Sequence, residues 1–528
     1  MVEQISAEAL QALLDGDSQF ALIDIREAGE YNSSHIPGSS LIPRRQLESQ
    51  MSAAVPFNEV QVVVCDDDGR RAGLAAATLT GMGYSNVQVL DAGINRWVTL
   101  DFPTEWGSNV ISKNFGEKME VVHHVPELEA TELHQRIERG DKLVILDTRT
   151  PEEYQRFCIP GGRSVPGGEL ALRITDITKD LDEGTTVIIN CAGRTRSIIG
   201  TRVLQRMGIT NIYGLKNGTS GWVLAGYELE TGADRISLPE PSAEGVAAAE
   251  AYAARLAAED GVRYMDVGQL QKLQEKRDTE TIYLVDIRTQ EEYQQGHIPG
   301  FRWFPGGQAV QRSDEVAVVR NSTIVFSCDG KARATVTASW YRQLGLEQVC
   351  VVDGGTSAWS AAGLDLEQGI PGEQPAGLAQ AREKVRFISA QELNSAPPKV
   401  TIFVDTSRDF ARGHVPGARW APRGWLEIQI GDLASEKAAA IAVTANGEAN
   451  ATLAGATLTG MGYGDVAVLK EGMASWRQMG LPLETGLSGV MGPPTDLVLS
   501  GPDRNYADMM NYLRWETALG EKYADLRG

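Results

Sequence analysis

The sequence predicts an α/β fold: four tandem domains, each a mainly parallel β-sheet flanked by helices on both faces. Two observations predict it. Phrases recur along the chain in a fixed order, and short apolar strand-like runs alternate with amphipathic helical ones. A strand-plus-acid phrase appears as ALIDIREAGEY, VILDTRTPEEY, YLVDIRTQEEY and IFVDTSRDF, placing Asp24, Asp147, Asp286 and Asp405 at strand ends. Each is followed by a turn phrase (SHIPGSS, CIPGGRS, GHIPGFR, GHVPGAR) and later by Trp97, Trp222, Trp359 or Trp476 at a nearly constant interval.

Within each copy the elements follow in order. An amphipathic helix leads (SAEALQALL, ATELHQRIE, VGQLQKLQE, SAQELNSA), then the Asp-bearing strand, the turn and a short helix. A second apolar strand follows (VQVVVC, TVIINC, TIVFSC, AAAIAVT), then a helix ending at Met-Gly or Leu-Gly, and a third strand (VQVL, IYGL, VCVVD, VAVLK). Sheets of this kind bury both faces, which accounts for the continuous apolar strands. The domains are expected at 1–104, 119–232, 261–367 and 384–486. A Pro- and Ala-rich helical linker, 233–260, is expected to separate the chain into two halves. EQGIPGEQPAG is a shorter linker. The tail, 487–528, turns helical in NYADMMNYLRWETALGEKYADL, with an aromatic face expected to dock on the body.

Composition narrows the function. The 528 residues carry a formal net charge of −21, which argues against nucleic acid or an anionic membrane as partner. The N-terminus lacks the basic and apolar regions of a signal peptide, and no apolar run is long enough for a membrane helix. Five scattered cysteines, without CxxC or Cys/His spacing, indicate neither a disulfide framework nor a metal site, and a cytoplasmic setting is expected.

One slot varies. At a fixed distance before the four tryptophans stand Asp66, Cys191, Cys328 and Ala445, opening the loops DDDGRRA, CAGRTRS, CDGKARA and ANGEANA. A loop between a parallel strand and a helix N-terminus turns backbone N–H groups inward, and such a nest is expected to favour thiolate over thiol. Ala192 and Gly193 let the backbone curl around the sulfur of Cys191, with Thr195 completing the loop. Arg194 and Arg196 supply charge for an anionic donor. In the third domain Gly330, Lys331, Ala332 and Arg333 fill the equivalent places, and Asp329 is expected to slow anionic donors or change the preferred one.

The repeat resembles a rhodanese domain on these residues: the Asp-bearing first strand, the G-H-I-P-G turn, the strand-end Cys with a six-residue loop, and the late Gly-x-x-x-Trp. The resemblance spans nearly the whole chain, four times over. It implies a sulfurtransferase in which Cys191, and Cys328 as a second site, take a sulfane sulfur from thiosulfate or a related donor. The persulfide then passes it to cyanide, a thiol or a protein acceptor, without metal or organic cofactor. An alternative is a protein-to-protein persulfide carrier with little small-donor turnover. Phosphatase or arsenate reductase is a distant third, because the related Cys-phosphatases use a loop one residue longer than Cys191 to Arg196 or Cys328 to Arg333.

The remaining chemistry-bearing residues read as structural. Asp24, Asp147, Asp286 and Asp405, His35, His297 and His414, and the tryptophans recur in thiol-bearing and thiol-less copies alike, which suggests ion pairs and turn hydrogen bonds. Cys65 and Cys350 read as core, and Cys158 as a substitution for the turn histidine. His123 and His124 are expected on a lead-in strand, without further ligands. The first and fourth copies share ATLTGMGY, which groups them with each other. Thiol-less rhodanese domains in tandem proteins pack against an active partner, and on that resemblance the first and second copies are expected to pair, and the third and fourth.

Overall fold

The computed structural model describes residues 2–182, 184–372 and 374–526. It contains four five-stranded sheets, one per repeat, whose strand ladders are all parallel and share a single order. In the second repeat the order across the sheet is Glu127–Leu128, Ile212–Leu215, Thr186–Asn190, Leu143–Asp147, Arg163–Ser164. The strand preceding the variable slot is therefore central, with neighbours on both sides. The short lead-in strand, Glu127–Leu128 here and Glu3–Ile5 in the first repeat, pairs with the last strand. Only two or three residues long, it leaves no periodicity to read.

The four leading helices form where their amphipathic pattern predicts: Ala7–Asp15, Ala130–Arg139, Val267–Gln274 and Ala390–Ser395. The first, third and fourth start at Ser6, Asp266 and Ser389, whose side chains accept an N–H of the first turn. One face of each sheet packs on this helix and on the late tryptophan. Leu133, Ile145, Ile188 and Trp222 form that core in the second repeat, and the Trp222 indole donates to the Glu228 carbonyl at 2.8 Å. The other three tryptophans make the same bond six residues on, to Pro103, Asp365 and Pro482.

The recurring acids are structural. Asp24, Asp147 and Asp286 each hold the arginine two residues on in a buried, two-pronged ion pair, with Nη2 to Oδ2 distances of 2.7–2.8 Å. In the fourth repeat Ser407 takes the arginine's place, and Asp405 instead accepts from the Asn446 N–H (2.7 Å) and Asn450 Nδ2 (2.6 Å). His35, His297 and His414 stack on Tyr31, Tyr293 and Phe410, and each ring Nδ1 meets the carbonyl of that aromatic residue. Cys158 is buried beside Tyr154 in the corresponding turn, and Cys65 is buried as expected.

Three expectations are corrected. The chain forms two compact units, one of residues Met1–Ser108, Val318–Arg320 and Gly372–Val498, the other of Asn109–Ala317, Asn321–Pro371 and Leu499–Gly528. The first repeat thus pairs with the fourth, and the second with the third. Between the first and fourth, Arg44 bonds Glu427 and the Arg423 carbonyl, Arg423 bonds Glu48, and Arg71 stacks on Trp425. Between the second and third, Arg333 bonds Glu169, and the Gly167-Gly168 turn meets Gly306-Gly307 so closely that a Cβ on Gly168 would lie 2.9 Å from the Gly307 nitrogen.

The linker is also not a divider. Its helix, Ala243–Asp260, joins the second and third repeats: Ala249 and Ala253 pack with Leu172 of one and Ala332 of the other. Asp260 bonds both Arg206 and Ser339. Small alanines let the three helices approach closely, and that is why the segment is alanine-rich. His123 and His124, finally, end the helix Val110–His123 rather than lying on a strand, with His124 in the left-handed conformation that stops it. No helix among the described residues is long and apolar enough to cross a membrane.

Candidate active site

Cys191 stands immediately after the central strand Thr186–Asn190, and the loop closes at the helix Thr195–Met207. The loop carbonyls face outward, toward a second helix: the Thr219 and Ser220 N–H groups of Gly218–Leu224 donate to Cys191 O (2.9 Å) and Ala192 O (3.1 Å). Gly218 makes this approach possible. It has a φ of +52°, and a Cβ there would lie 2.2 Å from the Cys191 carbonyl oxygen. With its carbonyls turned out, the loop aims the Gly193 and Ser197 N–H groups at the Cys191 sulfur. The nest expected from the sequence is formed. The thiol also reaches Ser197 Oγ at 3.4 Å, and that hydroxyl donates to the Arg194 carbonyl at 2.8 Å.

The arginines are held by carboxylates. Arg196 bonds Glu153 in a two-pronged pair at 2.7 and 2.9 Å, and its charge favours the Cys191 thiolate. Arg194 turns to Glu117 (2.6 and 2.9 Å) and to Glu127 (3.2 Å). Thr195 Oγ1 donates to Glu516 Oε1 at 2.9 Å. Glu516 lies on the helix Tyr506–Ala518, so the tail docks as expected, here beside the cysteine loop. Next to Arg196, a narrow cavity of about 30 Å³ runs between the second and third repeats, lined among others by Thr148, Gly200, Thr337 and Trp340.

Cys328 follows the strand Thr323–Ser327 in the same way, with Gly330 and Ala334 N–H groups aimed at its sulfur. Its surroundings differ. Ala334 stands where Ser197 offers a hydroxyl. Arg333, 1% exposed, is shared by three carboxylates: Glu292 (2.6 Å), Glu169 (2.8 Å) and Asp329 (2.8 Å). Lys331 points to Asp353 at 3.8 Å, and Ala332 packs on the linker helix.

The expectation of lowered thiol pKa values is corrected for both cysteines. Burial pushes the Cys191 thiol above its ordinary value, outweighing Arg196 and the N–H donors. Burial, and then Asp329, push Cys328 up to about 12. Removing a thiolate from water costs more than the nest returns.

The thiol-less slots complete the comparison. Asp66 inserts its carboxylate into its own nest, accepting from the N–H groups of Gly69, Arg71 (2.7 Å) and Ala72 (3.2 Å). Ala445 is buried and presents only a methyl group.

The sequence reading missed Ser197, Glu153, Glu292, Tyr512 and Glu516. For Glu153 and Glu292 a signal existed: Glu30, Glu153 and Glu292 precede a tyrosine in the copies that keep Arg71, Arg196 and Arg333, while the fourth copy has Asp409 and Asn450. The contacts of Glu30 with Arg71, at 2.9 Å, follow that pattern.

Four stretches of the chain, residues 6–100, 129–225, 266–362 and 389–479, match the rhodanese-like domain. The chain belongs to the rhodanese-like domain family. It is similar to the crystal structure of a thiosulfate sulfurtransferase from Pseudomonas aeruginosa, with 35% identity, 100% of this chain and 99% of that one covered, and a TM-score of 0.89. A thiosulfate sulfurtransferase of Azotobacter vinelandii is 27% identical over 251 residues, 40% of this chain and 91% of that protein. The putative sulfur carrier protein YrkF of Bacillus subtilis is 30% identical over 96 residues, 18% of this chain, and the match spans about half, 51%, of that protein.

Proposed function

We propose that Cys191 is the thiol through which this sulfurtransferase moves sulfane sulfur from thiosulfate or a related anionic donor to a thiophilic acceptor. The observation that carries the proposal is the Cys191 nest: two N–H groups face the sulfur, the thiol donates to Ser197 Oγ, and Arg196 answers to a single carboxylate. In the first half-reaction the Cys191 thiolate attacks the outer sulfur of thiosulfate. The S–S bond breaks, its electron pair leaves with sulfite, and a cysteine persulfide remains. In the second, cyanide or a thiol takes the terminal sulfur and the thiolate returns. Burial makes deprotonation the costly step, and the N–H donors receive first the thiolate and then the persulfide. Cys328 is the second, weaker site, because Asp329 and the three-way sharing of Arg333 offset the positive charge. A second reading, a protein-to-protein persulfide carrier, draws on the likeness to the putative sulfur carrier protein YrkF. The cytoplasm suits this chemistry, since the five cysteines are unbridged.

The test is intact mass of the reduced protein after thiosulfate, for the wild type, Cys191→Ser and Cys328→Ser, followed by cyanide. One cyanide-removable sulfur, lost in Cys191→Ser and kept in Cys328→Ser, is the expected result. No sulfur on either thiol would defeat thiosulfate as donor and leave the carrier reading.

A further inference from the structure

We infer that the C-terminal helix Tyr506–Ala518 roofs the Cys191 site and that Glu516 on it determines donor specificity, disfavouring doubly charged sulfur donors relative to singly charged ones. The inference rests on Cys191 being the sulfur-carrying thiol. Glu516 is 1% exposed. Its Oε1 accepts from Thr195, while Oε2 has no hydrogen-bond partner and points over the loop. A Cβ on Gly193 would lie 3.4 Å from Oε2 and 3.9 Å from Tyr512 Cε1. Gly193 is one of the two residues whose N–H groups face the sulfur, so the carboxylate stands against the cysteine loop itself.

The roof is anchored at several points. Met509 and Leu513 are buried, Asp503 pairs with Arg156, and the Tyr523 hydroxyl donates to Asn114 at 3.1 Å. Lys113 lies beneath the rings of Tyr512 and Trp515 at 5.1 and 5.4 Å, and Arg504 covers Tyr512 at 4.2 Å. Arg194 and Arg196 are already matched by Glu117, Glu127 and Glu153. Glu516 feels Arg194, Lys113 and Arg504 through space without forming an ion pair with any of them, and its repulsion of an incoming donor grows with the donor's charge.

Thiosulfate carries two negative charges and leaves as sulfite. An alkanethiosulfonate carries one, gives up the same outer sulfur to the thiolate, and leaves as a sulfinate with the electron pair of the broken S–S bond. Comparing the two isolates charge from chemistry. The experiment measures kcat/KM of the full chain with thiosulfate and with methanethiosulfonate, cyanide as acceptor, for the wild type, Glu516→Gln, Glu516→Asp and Cys191→Ser. Glu516→Gln is expected to improve thiosulfate about tenfold more than methanethiosulfonate, while the charge-keeping Glu516→Asp retains the wild-type ratio. A merely structural role would move both donors together. Should Glu516→Gln fail to fold, Glu516→Ala in the full chain must shift the ratio in the same direction. An unchanged ratio, with Cys191→Ser still removing most of the transfer, would overturn the role of Glu516. Transfer undiminished by Cys191→Ser would instead overturn the reading of Cys191 itself.

Discussion

A single position, occupied by Asp66, Cys191, Cys328 or Ala445, decides what each repeat can do, and the surrounding backbone is the same machine in each case. Asp66 shows what the machine is for: an anion at the slot collects three backbone N–H groups. Cys328 shows how neighbours restrain it. Because its pKa is raised to about 12 with Asp329 contributing, its thiolate fraction, and so its alkylation by iodoacetamide, is expected to stay low through pH 9 and climb only above it. Asp329→Asn removes that raising charge and frees Arg333 of one partner. Mass-mapped labelling should then shift to lower pH, and an unmoved profile would count against Asp329 as a cause. The buried Asp147–Arg149 pair makes a different prediction. Arg149→Leu leaves Asp147 buried with its ion-pair partner gone and is expected to cost about 3–5 kcal/mol, read as a lower urea midpoint. A change under 1 kcal/mol would contradict the structural role.

Two kinds of element contact build the candidate site, and they differ in legibility. The loop lies within a few residues of its strand and helix, so its cysteine, glycine and arginine positions were readable from repetition alone. The Glu–Arg pairs were readable in principle, because the glutamate and the arginine are lost together in the fourth copy. The roof was not. Thr195 and Glu516 are far apart in sequence, and a single non-repeated helix leaves no second copy to compare. The helix Val110–His123 was likewise missed, although its Glu117 ties it to Arg194 of the loop. Burial pushes that carboxyl up to about 7 despite Arg194, with Glu516 and Glu127 adding to the effect. The unfolded value is about 4.3. Between these limits the folded state holds a proton that the unfolded state has released, so the contribution is present below about pH 4.3 and fades as pH rises toward 7. Unfolding midpoints of the wild type should therefore carry a downward component across that window, and Glu117→Gln should flatten it. Identical pH slopes for the two would refute this origin.

At the level of the whole molecule, four copies of one domain do not reveal which copies pair. The resemblance favoured pairing each thiol-less copy with a thiol-bearing neighbour, yet the two thiol-less copies, which share ATLTGMGY, pair with each other, and the alanine-rich linker proved to be a joint between the second and third. Apolar composition reports that a helix is buried without reporting against what. The pairing has a direct consequence for how the chain can be divided. A cut near residue 240 gives one piece with the first and second repeats and another with the third and fourth, so each piece holds half of each unit. The first piece loses Arg423 and Glu427 from around Arg44, and Arg333 and the linker helix from around Glu169 and Leu172. Expressed alone, residues 1–240 should be poorly soluble and take up no sulfur from thiosulfate, because Arg44 loses its ion-pair partner and Glu169 one of its two. Expressed together, 1–240 and 241–528 should co-purify and recover sulfur uptake on Cys191. Two pieces that fold and behave as separate monomers would mean that neighbouring repeats suffice for each other, and that the long-range pairs are dispensable.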